Sequence, residues 1–197
     1  MLSKSALGAS SEDEISLGAP RNRPNSGSYM SPAGIEVNRV VQPLQDVAGE
    51  IRKLVHSLDD NMGAILTSSY EFPGRYARWT VGFTSPPIQI EGRRLDFSIT
   101  ALNQRGEVLL EVIRDHLAAS PTLFQINSVS PFVLKGKVIP STEYFAEEER
   151  SKQPTLFSLV RAIRDLFFSC EPEQLGLFGS FGYDLTFQFG KFYETLC

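Results

Sequence analysis

The stretch Leu95-Asp96-Phe97-Ser98-Ile99-Thr100-Ala101-Leu102-Asn103-Gln104-Arg105-Gly106-Glu107-Val108-Leu109-Leu110 decides the fold class. Leu95, Phe97 and Ile99 alternate with Asp96, Ser98 and Thr100, the period of a strand with one face buried and the other wet. Asn103 to Gly106 carries turn chemistry, Glu107 to Leu110 is expected to return as a strand, and Val112, Ile113 and Leu117 predict a short helix before Ser120 and Pro121. A hairpin followed by a helix implies strands and helices in separate runs, hence an α+β fold built on an antiparallel sheet with packed helices.

Upstream, Val40, Val41, Leu44, Val47, Ile51, Leu54, Val55 and Leu58 recur three and four apart, predicting a helix from about Pro43 to Leu58, with Pro43 in its first turn. Ala64 to Ser69 is a short β-compatible segment. Phe72, Pro73 and Gly74 turn the chain into a second strand with Trp79, Val81 and Phe83 on one face, and Pro86 and Pro87 interrupt the chain after that strand. Downstream, Phe124 to Ile139 reads as strand pieces broken by serines, Pro131 and Gly136. Pro154 opens a helix whose apolar face is Leu156, Leu159, Val160, Ile163, Leu166 and Phe167, and Leu175 to Phe181 reads as a glycine-interrupted strand. There is no internal repeat.

The chain has 197 residues, 42% of them hydrophobic and 11% aromatic, enough to build a substantial core. Its net charge of -4, with both signs interspersed, leaves no electrostatic footprint for a nucleic-acid backbone. Cys170 and Cys197 are too few for a disulfide scaffold, and no Cys/His cluster has zinc spacing. No apolar run approaches the roughly 20 residues of a membrane span. Residues 1–36 form a flexible leader, poor in apolar periodicity. Its Glu12-Asp13-Glu14 cluster argues against an organellar transit peptide, so the expected location is cytoplasmic, with an organelle as the alternative should the Ser-rich leader be one.

Leu66-Thr67-Ser68-Ser69-Tyr70-Glu71-Phe72-Pro73-Gly74-Arg75-Tyr76 places hydroxyls, an acid and an arginine around a strand-to-turn transition, a place where a small ligand's carboxylate or ammonium can be recognised. On the residues alone the favoured reading is plainer: Ser68 and Ser69 satisfy turn backbone, and Arg75 serves a surface ion pair. His56 and His116 read as ordinary helix residues, Glu147-Glu148-Glu149 as a solvated charged run, and Gly190-Lys191 lacks the glycines and hydroxyl of a phosphate loop.

The run Gly63 to Trp79, then Ala101 to Leu110, then Glu147-Glu148-Glu149-Arg150-Ser151-Lys152-Gln153-Pro154, then Gly179-Ser180-Phe181-Gly182-Tyr183-Asp184-Leu185-Thr186-Phe187-Gln188-Phe189 resemble, in order, the amino-terminal part of the large component of anthranilate synthase, especially the form fused to its glutaminase. The resemblance implies a domain over residues 37–189 and a divergent tail over 190–197. It implies a family that converts chorismate, with glutamine-derived ammonia and magnesium, to anthranilate and pyruvate in tryptophan biosynthesis. It implies a tryptophan feedback pocket in this region, drawn on Leu66, Thr67, Ser68 and Ser69, with Thr67 standing where the family commonly has Glu. A hydroxyl acceptor at Thr67 and backbone carbonyls can still hold an ammonium group.

The Gly182-Tyr183-Asp184 element is shared with aminodeoxychorismate and phenazine-type relatives, which form an alternative, as does a stand-alone tryptophan sensor or docking subunit. By itself it reads as a tight turn whose hydrogen-bonded Tyr and Asp support the core. The chorismate- and magnesium-binding half is expected to lie beyond this chain. No catalytic residue, metal site or cofactor is therefore expected within it, and it should be inactive alone. The partners implied are L-tryptophan, a catalytic half and a glutamine amidotransferase component. Unpaired edges and apolar faces at Phe178, Phe181, Phe187 and Phe189 imply marginal stability and self-association.

Overall fold

The computed structural model describes residues 26–31, 33–68, 79–143, 145–168, 176–183 and 185. The alternation at residues 95–100 is realised as strand β6 (Asp96–Ala101), flanked in an antiparallel sheet by β5 (Ile88–Arg93) and β8 (Val133–Val138), with β7 (Phe124–Val129) outside β8. The register sets Ile90 opposite Ile99 and Ile99 opposite Leu134, and Gly92 opposite Phe97 and Phe97 opposite Gly136. One face is therefore apolar throughout, and the other carries Gln89, Glu91, Asp96, Ser98, Lys135 and Lys137. The fold is α+β, with antiparallel sheets and helices.

Two helices cover the apolar face: α2 (Gln104–Ala118), through Leu110, Ile113 and Leu117, and α3 (Leu156–Phe167), through Leu156, Leu159, Ile163 and Leu166. These residues join Phe97, Ile99, Phe124, Leu134 and Val138 in one buried core, where the Phe97 and Phe124 rings meet edge to face. Gly136 does not break its strand. It makes room for Phe97, whose Cζ would lie 2.5 Å from any Cβ at that position, so the small residue is what lets the ring lie down on the sheet.

Two expectations fail here for an identifiable reason. Asn103 and Gly106 make no turn, and Glu107 to Leu110 is no strand, because Asn103 caps α2, its Oδ1 accepting from the Gly106 amide at 3.1 Å. The same side chain donates from Nδ2 to the Pro86 carbonyl, and the Leu102 amide donates to the Pro87 carbonyl at 2.8 Å. Gly106 is buried against that carbonyl, where any side chain would strike backbone. Residues that resemble a hairpin turn in sequence thus bind the helix start to the Pro86-Pro87 segment. Strand β5, immediately after those prolines, has no counterpart among the expected elements.

At the other end of the sheet the helix expected after Pro154 is present, and a residue not expected in that role starts it. Thr155, fully buried, caps α3: its hydroxyl accepts from the Phe157 amide while Ser158 Oγ accepts from the Thr155 amide, a reciprocal capping box. Pro154 precedes the cap and does not open the helix. Residues 176–180, expected as part of a strand, have no regular secondary structure. With glycines at 176 and 179 the segment has little to pack on both sides of a sheet.

The remaining elements are local. Helix α1 (Val47–Ser57) begins at the Asp46 cap, whose Oδ1 accepts from the Gly49 amide at 2.8 Å, so Pro43 lies outside it. Strand β3 (Gly63–Ser68) pairs with β4 (Trp79–Thr84), as the sequence predicts. Strands β1 (Gly27–Met30) and β2 (Glu36–Arg39) form a hairpin across the expected boundary between leader and domain. Ser31 closes its loop by accepting from the Ile35 amide, and Gly34 adopts a φ of 77°. Tyr29 donates to the Phe167 carbonyl, so this hairpin rests on the end of α3.

Candidate functional site

The β3–β4 hairpin carries the residues with the strongest sequence claim on a ligand. Its register runs from Gly63 opposite Thr84 to Ser68 opposite Trp79, and alternation gives it two different faces. Helix α1 covers one of them. Leu58 sits over Gly63 and Leu54 over Gly82, so close that neither glycine could take a Cβ without displacing a leucine. The other face carries Ala64, Leu66, Val81 and Phe83. Leu66 and Val81, paired in register, remain 45% and 42% exposed. Phe178 lies against Phe83, ring centroids 5.2 Å apart.

The four expected tryptophan-binding residues are therefore not one wall. Leu66 faces the open apolar side, and Thr67 faces the α1 side, where its hydroxyl is 3.0 Å from that of Thr80 on the facing strand. Either hydroxyl can donate in that pair. Ser68 closes the hairpin ladder opposite Trp79, while Ser69 and residues 70–78, including Arg75, lie outside the described residues. Thr80 and Phe178 were not expected as neighbours of this site. The cross-strand pairing of Thr80 depends on the register of β3 with β4. Phe178 comes from far along the chain.

Other sequence candidates have structural roles or none. Gly182 accepts from the Leu185 amide at 3.1 Å, a tight turn, with Tyr183 84% exposed and Asp184 outside the described residues. His56 is exposed on α1 and His116 half-buried in the last turn of α2. The Arg114 guanidinium, hydrogen bonded to Asp115, is held above its ordinary pKa by that bond and by the carboxylate charge. A shallow hollow of about 420 Å³ lined by Ala118, Pro121, Phe124, Gln125, Ile126 and Ile139 contains no ionisable side chain.

Magnesium needs several convergent oxygen ligands. Among the described residues no group of three His, Cys, Asp or Glu side chains converges, and Glu149 of the acidic run, in a 3-10 helix (Glu147–Lys152), pairs with Lys152. The described residues do not fit the ion. Among them, too, no helix is long and apolar enough to cross a membrane.

Comparison with curated proteins gives a match of 36% identity over 168 residues, or 85% of this chain, to the protein named anthranilate synthase from Azospirillum brasilense. The chain is a homologue of anthranilate synthase. The anthranilate synthase match takes in the whole middle of the chain, and so the hairpin, the four-stranded sheet and both covering helices. The chain spans 22% of the length of that relative. No family model matches the chain, and no solved structure does.

Proposed function

We propose that this chain is the amino-terminal, tryptophan-responsive region of an anthranilate synthase, and that it does not turn chorismate over by itself. The observation that carries the reading is the 36% identity to anthranilate synthase over 168 residues, a span that takes in the β3–β4 hairpin and covers 22% of that enzyme's length. In this reading the hairpin end grips the effector. Ser68 and Ser69, with the backbone groups at the end of the ladder, recognise the amino-acid head group. Leu66 with Val81, on the face away from α1, offers apolar surface to the indole, while Thr67, on the opposite face, ties β3 to β4 through Thr80.

The chemistry, the lyase reaction on chorismate with its magnesium ion, belongs to a separate catalytic half, and ammonia comes from a glutamine amidotransferase partner or domain. The location in this reading is cytoplasmic. Calorimetric titration of the chain with L-tryptophan should give saturable one-site binding that Ser68→Phe abolishes. A flat titration of the unaltered chain would defeat the proposal. The second half of the proposal fails if the chain alone, given chorismate, ammonium and magnesium, yields anthranilate fluorescence above a no-protein blank.

A further inference from the structure

Apart from the β1–β2 hairpin, which rests on the end of α3, the described residues form two packed units. In one, α1 lies on the β3–β4 hairpin; in the other, α2 and α3 lie on the four-stranded sheet. No helix or strand of the first packs extensively on the second among the described residues. The covalent join is short, Ser85-Pro86-Pro87, and is tied to both sides. The Ser85 amide donates to the Met62 carbonyl at 2.8 Å, and the proline carbonyls accept from the start of α2.

A second connection is made by aromatic rings. Phe178 lies on Phe83 of the hairpin at 5.2 Å, and three residues later Phe181 lies on Phe157 of α3 at 4.8 Å, with the ring planes inclined by 38° and 41°. Leu185 then packs against the core. The residues from Phe178 to Phe181 have no strand or helix pairing, and these two rings tether the ends of that run. Gly176 leaves room for the Phe178 ring, for a Cβ there would lie 3.0 Å from it.

We propose that residues 176–183 form an aromatic strap that sets the position of the β3–β4 hairpin against the helical layer. Phe178 and Phe181 are its two fasteners. Both rings keep much of their surface in water, 43% and 58% exposed, so each fastener is weak enough to open and close reversibly. Phe178 joins the hairpin on the same face as Leu66 and Val81. If the tryptophan reading holds, an effector on that face and the strap act on one another, and this clause alone rests on that reading.

Hydrogen exchange measured by mass spectrometry on the whole chain tests the strap without any ligand. The ring partner of Phe181 is Phe157 of α3. Phe181→Ala should nevertheless speed exchange in peptides covering 63–68 and 79–84 by about three- to tenfold, the range expected for losing one ring pair, while peptides from β5 to β8 keep their rates. Phe181→Tyr, which keeps the ring, should restore the slow rates. Unchanged hairpin exchange in Phe181→Ala would overturn the proposal, and so would a rise of equal size in both units, which signals general loosening. Failure of L-tryptophan to bind the unaltered chain would remove the reading of the site and leave the strap to stand or fall on exchange in the free chain.

Discussion

Replacing Gly106 by alanine should destabilise the protein, against the ordinary preference of helices. In a helix interior the change normally stabilises by about 1 kcal/mol. Here the new methyl would run into the Pro87 carbonyl oxygen, with the Pro87 carbon 3.0 Å and the Ala101 Cα 3.1 Å away. All of these atoms are backbone, and the two prolines have little torsional freedom with which to retreat. Relief requires the Pro86-Pro87 segment to move off the helix start. That movement stretches the Leu102 amide bond to Pro87 and the Asn103 bond to Pro86, each contributing about 0.5–1.5 kcal/mol net. Overpacking strain of about 1–3 kcal/mol comes on top. Against the helix gain, a net loss of about 2–3 kcal/mol is expected, a fall in melting temperature of roughly 5–10 °C for a chain of this size. Urea unfolding followed by far-ultraviolet circular dichroism measures it. Gly49→Ala is the control, since the atom it meets is the Asp46 carboxylate, free to swing away at the loss of one cap bond worth about 1 kcal/mol. It should change stability by less than about 1 kcal/mol. A Gly106→Ala protein as stable as the original, or a Gly49→Ala protein equally damaged, would refute the reasoning.

Further outcomes can be checked on the same instrument or a centrifuge. Thr155→Ala removes the α3 capping box and should lower stability by about 1–2 kcal/mol, with Thr155→Ser recovering most of it; an unmoved urea midpoint for the alanine variant would contradict the cap. Ile99→Ala, at a fully buried position in the middle of the sheet, should lose about 2–5 kcal/mol, enough to leave a marginal domain largely unfolded at 37 °C. Retained cooperative melting near the original temperature would show the site to be looser than described. Lysines at Leu66 and Val81 should shift stability by less than about 1 kcal/mol yet suppress self-association, read as a sedimentation coefficient that no longer rises with concentration. Association undiminished by both changes would place the adhesive surface elsewhere.

Burial written directly into residue order was readable. The alternation around Phe97 and Ile99 and the three-four spacing of Leu156, Leu159, Ile163 and Leu166 each survive into the structure, because one-sided burial imposes a period on the sequence. Features that depend on partners distant in sequence were not. Asn103 and Gly106 carry turn-forming residue types, and only the Pro86 and Pro87 carbonyls convert them into a helix start. Gly136 looks like a break until the Phe97 ring is placed beside it. Strand β5 does alternate, Ile88 and Ile90 with Gln89 and Glu91, but over so few residues after the two prolines that its pairing with β6 is what separates it from a loop. At the candidate site, alternation alone implies that Leu66 and Thr67 part company. The partner of Thr67 becomes visible only with the register of β4.

The two glycines beneath α1 have a mechanical consequence. Leu58 and Leu54 lie four residues apart on the helix, a rise of about 6 Å, and the notches they occupy at Gly63 and Gly82 are set off by two residues of strand, about 6.8 Å. The near match of these spacings means that α1 rests in detents, like a key seated on two pins. The two strands hold no third glycine, so a slide of α1 along them would drive both leucines onto side chains, and the helix has a single seat.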